Sequence, residues 1–111
     1  MRSPGLLPRH YAPKAKLLVW AWQDERDLRE QISRVPAVAS QCHVIAHRHI
    51  PSAAGLGGVS MIPRDAAAFA RAIYAELHRC DEAGAAWIIV EAPPTGVEWS
   101  GVADRLRRAS K

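Results

Sequence analysis

The stretch Leu17-Leu18-Val19-Trp20-Ala21-Trp22 is a continuous apolar run without alternation of polar and apolar residues. Such a run is typical of a strand covered on both faces of a parallel sheet, and we expect it to lie near the sheet centre. A helix is predicted between Asp24, a suitable N-cap, and Pro36. The next apolar run, Cys42-His43-Val44-Ile45-Ala46, completes a strand, helix, strand unit. This unit requires parallel pairing with a right-handed crossover.

The second half of the chain continues the alternation. Residues 59–62 indicate a short strand, and the helix predicted from Asp65 to about Glu82 ends at Gly84. A strand at residues 86–90 and a helix at about residues 100–109 follow. The order is strand, helix, strand, loop, strand, helix, strand, helix. We therefore predict a three-layer α/β fold with a Rossmann-like, mainly parallel sheet of about four or five strands.

Composition limits the classes of protein. With 111 residues, 49% of them hydrophobic and 23% charged, the chain is expected to form one soluble globular domain. No run approaches the roughly 18 to 20 apolar residues of a membrane helix, and the first residues lack a secretory apolar region. We expect a cytoplasmic protein with no membrane partner.

Cysteines and histidines are the residues that could bind a metal. The two cysteines, Cys42 and Cys80, form no Cys-x-x-Cys pair and are expected to be buried free thiols. His43, His47 and His49 have no acidic residue or cysteine close by in sequence to complete a site. We therefore expect no metal site, with these histidines exposed at a strand end.

The segment Gly55-Leu56-Gly57-Gly58 raises the question of a phosphate-binding loop. It matches neither glycine fingerprint and precedes a strand-like segment instead of a helix. A flexible loop is the preferred interpretation.

Glu91 and three arginines are the remaining candidates for binding. Glu91 ends a predicted strand, where α/β domains often place ligands, but a cap or a linker contact is the favoured interpretation. Arg105, Arg107 and Arg108 could contact tRNA phosphates. The favoured interpretation is a solvated helix face whose positive charge suits the helix C-terminus.

The first 16 residues are predicted to be a proline-rich linker before an α/β domain at residues 17–111. Prolines at positions 4, 8 and 13 stiffen the segment and disfavour helix. Ser3-Pro4-Gly5, four residues, then His10-Tyr11-Ala12-Pro13 resembles the linker of the two-domain L-threonylcarbamoyladenylate synthases. On physical grounds alone, a surface tail with Tyr11 packed on the domain is the favoured interpretation.

The resemblance continues into the second half. The helix pattern of that family is matched by Ala70, Ile73-Tyr74, Leu77 and Asp81, although His78 stands where the family has Arg. Glu91-Ala92-Pro93-Pro94 and the segment at residues 103–109 resemble the family's closing strand, turn and helix.

In that family the linker joins a catalytic domain to a smaller C-terminal α/β domain and lies over the catalytic cleft. The resemblance implies that Ser3, Gly5, His10, Tyr11 and Pro13 belong to a segment that covers the ligand. It also implies that ATP with magnesium, threonine and bicarbonate bind only in a partner catalytic domain. This chain would then contain the smaller domain alone, with no catalytic residue and no cofactor, and would support tRNA threonylcarbamoyladenosine synthesis.

Two other functions remain open. The first is a stand-alone domain that binds a small ligand or nucleotide near Glu91 and the loop after His49. The second is weak binding of tRNA, or of a complex that modifies tRNA, through the terminal arginines. Catalysis by the chain alone is not expected, because no phosphate loop and no nucleophile beside a base is present in the sequence pattern.

Overall fold

A computed structural model describes residues 13–110. These residues form four strands, three α-helices and two short 3₁₀ turns: β1 (Lys16–Trp20), α1 (Glu25–Ser33), β2 (Cys42–Ala46), β3 (Gly58–Met61), α2 (Ala66–Glu82), β4 (Trp87–Glu91) and α3 (Ser100–Ala109), with the turns at Ala39–Gln41 and Val97–Trp99. The predicted order of elements is confirmed. No helix in this part of the chain has the length and apolar character needed to cross a membrane.

The four strands form one parallel sheet in the order β1-β4-β2-β3. The predicted α/β class and parallel sheet are confirmed. The central position expected for β1 was wrong, because β1 pairs with β4 alone and lies at the sheet edge. Its pattern is apolar throughout because side chains on both faces meet other elements: Leu17 is buried on one face and Leu18 half-buried on the other. β4 is internal, and Ile88, Ile89 and Val90 are fully buried.

The helices cover both faces of the sheet. α2 and α3 pack on one face through residues that include Phe69, Ile73 and Leu106, together with Trp99 of the turn before α3. α1 packs on the other through Leu28 and Ile32. The handedness of crossovers explains this division: the β1-to-β2 and β3-to-β4 connections run in opposite directions across the sheet, so their helices lie on opposite faces.

Both ends of α2 are fixed by hydrogen bonds. Asp65 caps the first turn, its carboxylate accepting from the Ala68 amide at 3.0 Å. At the other end Gly84 has φ +88°, a conformation that glycine adopts without strain. The Gly84 amide donates to the Asp81 carbonyl and the Ala85 amide to the Cys80 carbonyl, both at 3.1 Å, which is a Schellman ending. The side chains of the last turn are thereby held in place.

Candidate functional site

The amino-terminal edge of the sheet holds the point where the chain enters the domain. The Asp81 carboxylate accepts hydrogen bonds from the Lys14 amide at 3.0 Å and the Ala15 amide at 2.9 Å, one to each oxygen. The next amide, that of Lys16, donates to the Ala86 carbonyl at 2.9 Å. Two consecutive backbone amides are therefore bound by Asp81 before β1 begins to pair with β4 at Lys16.

Asp81 occupies a position that helix electrostatics disfavour. It lies in the last turn of α2, where the partial negative charge of the helix end favours cations over carboxylates. Its two oxygens instead satisfy two backbone donors of the entering chain, which are contributed from 66 and 67 residues earlier. Charge-assisted hydrogen bonds of this kind are stronger than neutral ones. The position of Asp81 is thus explained by the segment that it holds.

The carboxyl-terminal edge is organised by Glu91, which is only 4% exposed. Its Oε1 accepts from the His47 and Arg48 amides, both at 2.9 Å. The His49 amide lies 3.2 Å from both oxygens, and His49 Nδ1 lies 3.0 Å from Oε2. Burial favours a raised pKa for Glu91, but the backbone donors outweigh burial and hold its pKa below the ordinary value.

At this edge the connections that leave two neighbouring strands, β2 and β4, run in opposite directions across the sheet. The chain leaves β2 toward β3 on one side, whereas it leaves β4 toward α3 on the other. Open α/β sheets commonly bind ligands in the crevice at such a point. Here Glu91 spans the crevice and binds the amides of residues 47–49 across it. Glu91 thus acts as a cap for the backbone amides that follow β2, one of the roles considered from the sequence.

The two histidines beside Glu91 differ in exposure. His47 is buried, so the expectation of an exposed histidine was wrong for this residue. Its ring meets Phe69 edge-on with centroids 5.7 Å apart, and its Nε2 lies 2.9 Å from the Ala92 carbonyl oxygen. The His49 side chain is 34% exposed and remains accessible from the solvent at this edge.

His43 lies apart from these histidines, near the amino-terminal edge. Side chains alternate along β2, so His43 faces α2, where Glu76 and Cys80 lie one helical turn apart. The ligand atoms of the three side chains all lie within 4.8 Å of one another. Sequence reasoning missed this cluster because Glu76 and Cys80 are more than thirty residues from His43 along the chain. The strand period combined with the i, i+4 helix spacing is the signal that could have found it.

Burial and neighbouring charges set the electrostatics of this cluster. Burial lowers the pKa of His43, and the Arg79 charge lowers it further. Hydrogen bonding to Arg79 lowers the pKa of Glu76. Burial raises the pKa of Cys80 to about 11. At neutral pH the imidazole is therefore neutral, the carboxyl ionised and the thiol protonated. Cys42 is also a buried free thiol, as predicted for both cysteines.

Comparison with protein-family models decides the family. The model described as the C-terminal domain of threonylcarbamoyl-AMP synthase matches residues 1–111, the whole chain. The chain belongs to this family. Comparisons with curated proteins and with solved structures gave no match. The resemblance seen in the linker and the second half is thus confirmed, and the family implies a catalytic domain as partner.

Several residues singled out from the family resemblance precede the described part of the chain. Ser3, Gly5, His10 and Tyr11 lie outside residues 13–110. Pro13 is the first described residue and is half-buried beside the chain entry at Asp81. Asp81 itself matched the family helix pattern in sequence. Its contact with the linker end was not foreseen.

The three arginines of this threonylcarbamoyl-AMP synthase C-terminal domain are exposed on α3. Arg107 and Arg108 both pair with Asp104, at 2.7 and 3.2 Å. Arg105 lies beside Tyr74. Burial raises the pKa of Tyr74, and the Arg105 cation offsets part of that rise. Because the Asp104 carboxylate pairs with two of the three arginines, the positive potential of this helix face is weaker than three free arginines would give. The tRNA contact stays a prediction for these residues.

Proposed function

We propose that this domain anchors a linker that covers the catalytic site of a separate threonylcarbamoyl-AMP synthase catalytic domain. In this role it supports the synthesis of threonylcarbamoyladenosine in tRNA in the cytoplasm. Family membership supports the assignment to the synthase. The observation that supports the anchoring role is the Asp81 carboxylate, which binds the Lys14 and Ala15 amides where the linker joins the domain.

A fixed joining point limits where the covered site can be. A chain extends at most about 3.3 to 3.6 Å per residue, so His10 lies no more than roughly 14 Å from Lys14. Tyr11 is nearer by one residue. We therefore expect a catalytic site covered by these two side chains to lie nearer the amino-terminal edge of the sheet, where Lys14 and Ala15 are bound. The edge that carries Glu91 is at the opposite end of β4.

The chemistry of the intermediate explains the need for a cover. Threonylcarbamoyl-AMP is a mixed anhydride, and water that reaches it wastes the activated group. Closing a segment over the site excludes that water. Tyr11 and His10 combine an apolar ring with a polar group, which suits them to close over a polar intermediate. Ser3, Gly5 and Pro13 complete the proposed cover.

The chemical steps are assigned to the partner domain, where ATP with magnesium, threonine and bicarbonate bind. Within residues 13–110 the groups that could act as nucleophiles are poorly placed. The thiols of Cys42 and Cys80 are buried, and burial raises the pKa of each. Both oxygens of Glu91 are engaged by backbone and ring donors. These observations support a role without catalysis.

Reconstitution with a catalytic domain tests the proposal. A catalytic domain of this family, lacking its own C-terminal domain, is assayed for ATP-dependent adenylate formation with and without this chain. We expect the chain to form a complex and to raise the yield of intact adenylate. Tyr11→Ala should remove the gain, whereas Val97→Ala, at an exposed site beyond β4, should not. An unchanged yield without a detectable complex would contradict the proposal.

A second candidate function is small-ligand binding at the carboxyl-terminal edge. The observation that favours it is His49, whose ring is held by Glu91 Oε2 at 3.0 Å and is partly exposed at the crevice position. Calorimetry with ATP, AMP and threonine separates the two candidates. The anchoring role predicts no strong binding by this chain alone, whereas the second requires binding that His49→Ala abolishes.

A further inference from the structure

A cluster of metal-ligating side chains lies between the sheet and α2. His43 on β2 and the pair Glu76 and Cys80 on α2 bring their ligand atoms within 4.8 Å of one another. An imidazole, a carboxylate and a cysteine sulfur together form a donor set suited to Zn²⁺ and poorly suited to Mg²⁺ or Ca²⁺. The Cys80 thiol releases its proton to solvent when the ion binds. We propose that these three side chains bind Zn²⁺.

The separations suit an ion of this size. With bonds of about 2.0 to 2.3 Å, tetrahedral Zn²⁺ places its ligand atoms roughly 3.3 to 3.8 Å apart. The three side chains therefore need only small inward rotations to reach a common centre. The Ser60 hydroxyl lies 2.8 Å from His43 Nε2, so it turns aside when the ion takes that nitrogen, and a water would complete the tetrahedron. The ion would join β2 and α2.

Gly58 restrains the imidazole. A Cβ at position 58 would lie 2.6 Å from Cε1 and 2.7 Å from Nδ1 of His43, so the ring lies directly against the β3 backbone. Only glycine permits this approach. The ring is thus held between Gly58 and Ser60, on the side of the sheet that α2 covers. A ligand restrained before binding loses less entropy when the ion arrives.

Arg79 competes with a cation for the carboxylate. Its Nε and Nη2 bond Glu76 at 3.2 and 2.9 Å, and Nη2 also donates to the Ser60 hydroxyl at 2.9 Å. The Arg79 side chain is 56% exposed, so it can turn out to solvent. Because Arg79 is largely exposed, we expect that displacing it costs the ion only about fivefold in affinity.

This inference departs from the expectation that the chain has no metal site. In the sequence His43, His47 and His49 form one group, with no acidic residue or cysteine close by to complete a site. The structure separates the three, because Glu91 organises the loop with His47 and His49 while His43 meets α2. The Zn²⁺ proposal does not depend on the linker role, since binding by this chain alone decides it.

Titration of the full chain with Co²⁺ and Zn²⁺ tests the site. Co²⁺ bound to a thiolate gives a ligand-to-metal charge-transfer band, and Zn²⁺ should bind in competition and abolish it. We expect one ion per chain and a Kd that rises by more than about 100-fold in Cys80→Ala. Cys42→Ala is the matched control, because this second buried thiol packs on the opposite face of the sheet. It should bind like the parent.

Two further variants keep the test decisive if Cys80→Ala unfolds. Glu76→Gln, at a half-buried position, should weaken Zn²⁺ binding by at least about tenfold. Arg79→Gln should strengthen it by up to about fivefold, because the competing cation is gone. The absence of a thiolate band in the parent chain, or Zn²⁺ affinity unchanged in Glu76→Gln and Arg79→Gln, would overturn the proposal.

Discussion

The Asp81 carboxylate binds the Ala15 amide, although the two residues are 66 positions apart in the sequence. The amide donates to Oδ1 at 2.9 Å. The Lys14 amide binds the other oxygen. Lys14 and Ala15, just before β1, are thus bound to the last turn of α2. Because the Schellman ending at Gly84 fixes that turn, these two amides are bound to a well-defined position.

Removing the Asp81 carboxylate should loosen this point. Asp81→Ala leaves two amides without their acceptor, and we expect a loss of about 1–2 kcal/mol in the free energy of unfolding. Denaturant unfolding measures the loss, and hydrogen exchange should show faster exchange at Lys14 and Ala15. Glu82→Ala removes an exposed acid from the same helical turn as a control. Equal effects of the two substitutions would contradict the anchoring contact.

Glu91 should make stability depend on pH. Its pKa is lower in the folded chain than the ordinary 4.5, so its contribution is complete above that value and is lost as pH falls through the folded pKa. Glu91→Gln should therefore destabilise by about 2 kcal/mol at pH 7. The difference from the parent should shrink below about pH 4.5.

Unfolding curves of both proteins from pH 7 to pH 3 measure this difference. Glu98→Gln, an exposed carboxyl after the same strand, is the control and should change stability little at any pH. A difference between parent and Glu91→Gln that stays constant down to pH 3 would show that Glu91 does not act through its charge.

Two glycines should respond to alanine in opposite directions. A Cβ at Gly57 would lie 2.8 Å from the Ser40 carbonyl oxygen and 3.0 Å from that of Cys42, both on backbone that cannot move easily. Gly57→Ala should destabilise by about 1–3 kcal/mol. A Cβ added at Gly101, in α3, would have no neighbouring atom within 4 Å. Gly101→Ala should therefore stabilise the fold by about 0.5 kcal/mol. Thermal unfolding of both variants checks the signs.

The arginines of α3 give a prediction about RNA. If Arg105, Arg107 and Arg108 contact tRNA phosphates, Asp104→Asn should strengthen tRNA binding several-fold at low salt, because it releases two arginines from ion pairs. Fluorescence titrations at several salt concentrations measure the affinity and its salt dependence. Affinity that does not change with Asp104→Asn would remove these residues from the RNA-binding hypothesis.

Much of the fold was predictable because local patterns and tertiary structure agree. The stripe of α2, the apolar strands and the cap at Asp65 all led to elements that the structure contains. The place of β1 in the sheet was not predictable from its own residues. An edge strand covered by helices on both faces has the same apolar pattern as a central strand.

The contacts of the candidate sites were harder to predict, since each joins segments distant in sequence. Asp81 with Ala15, Glu91 with His49, and His43 with Cys80 each depend on how the strands are ordered. Sequence periodicity shows which face a side chain takes but not which element lies opposite. His47 shows the same limit, because its burial against Phe69 follows from the packing of α2.

The most direct test of the central claim is the lifetime of threonylcarbamoyl-AMP on a catalytic domain supplied with this chain. The lifetime is measured with the parent chain, with Asp81→Ala and with Glu82→Ala. If the domain acts by anchoring the linker, the parent and Glu82→Ala chains will protect the adenylate from hydrolysis, and Asp81→Ala will protect it less although it remains folded. Equal protection by all three chains, or by none of them, would contradict the anchoring role.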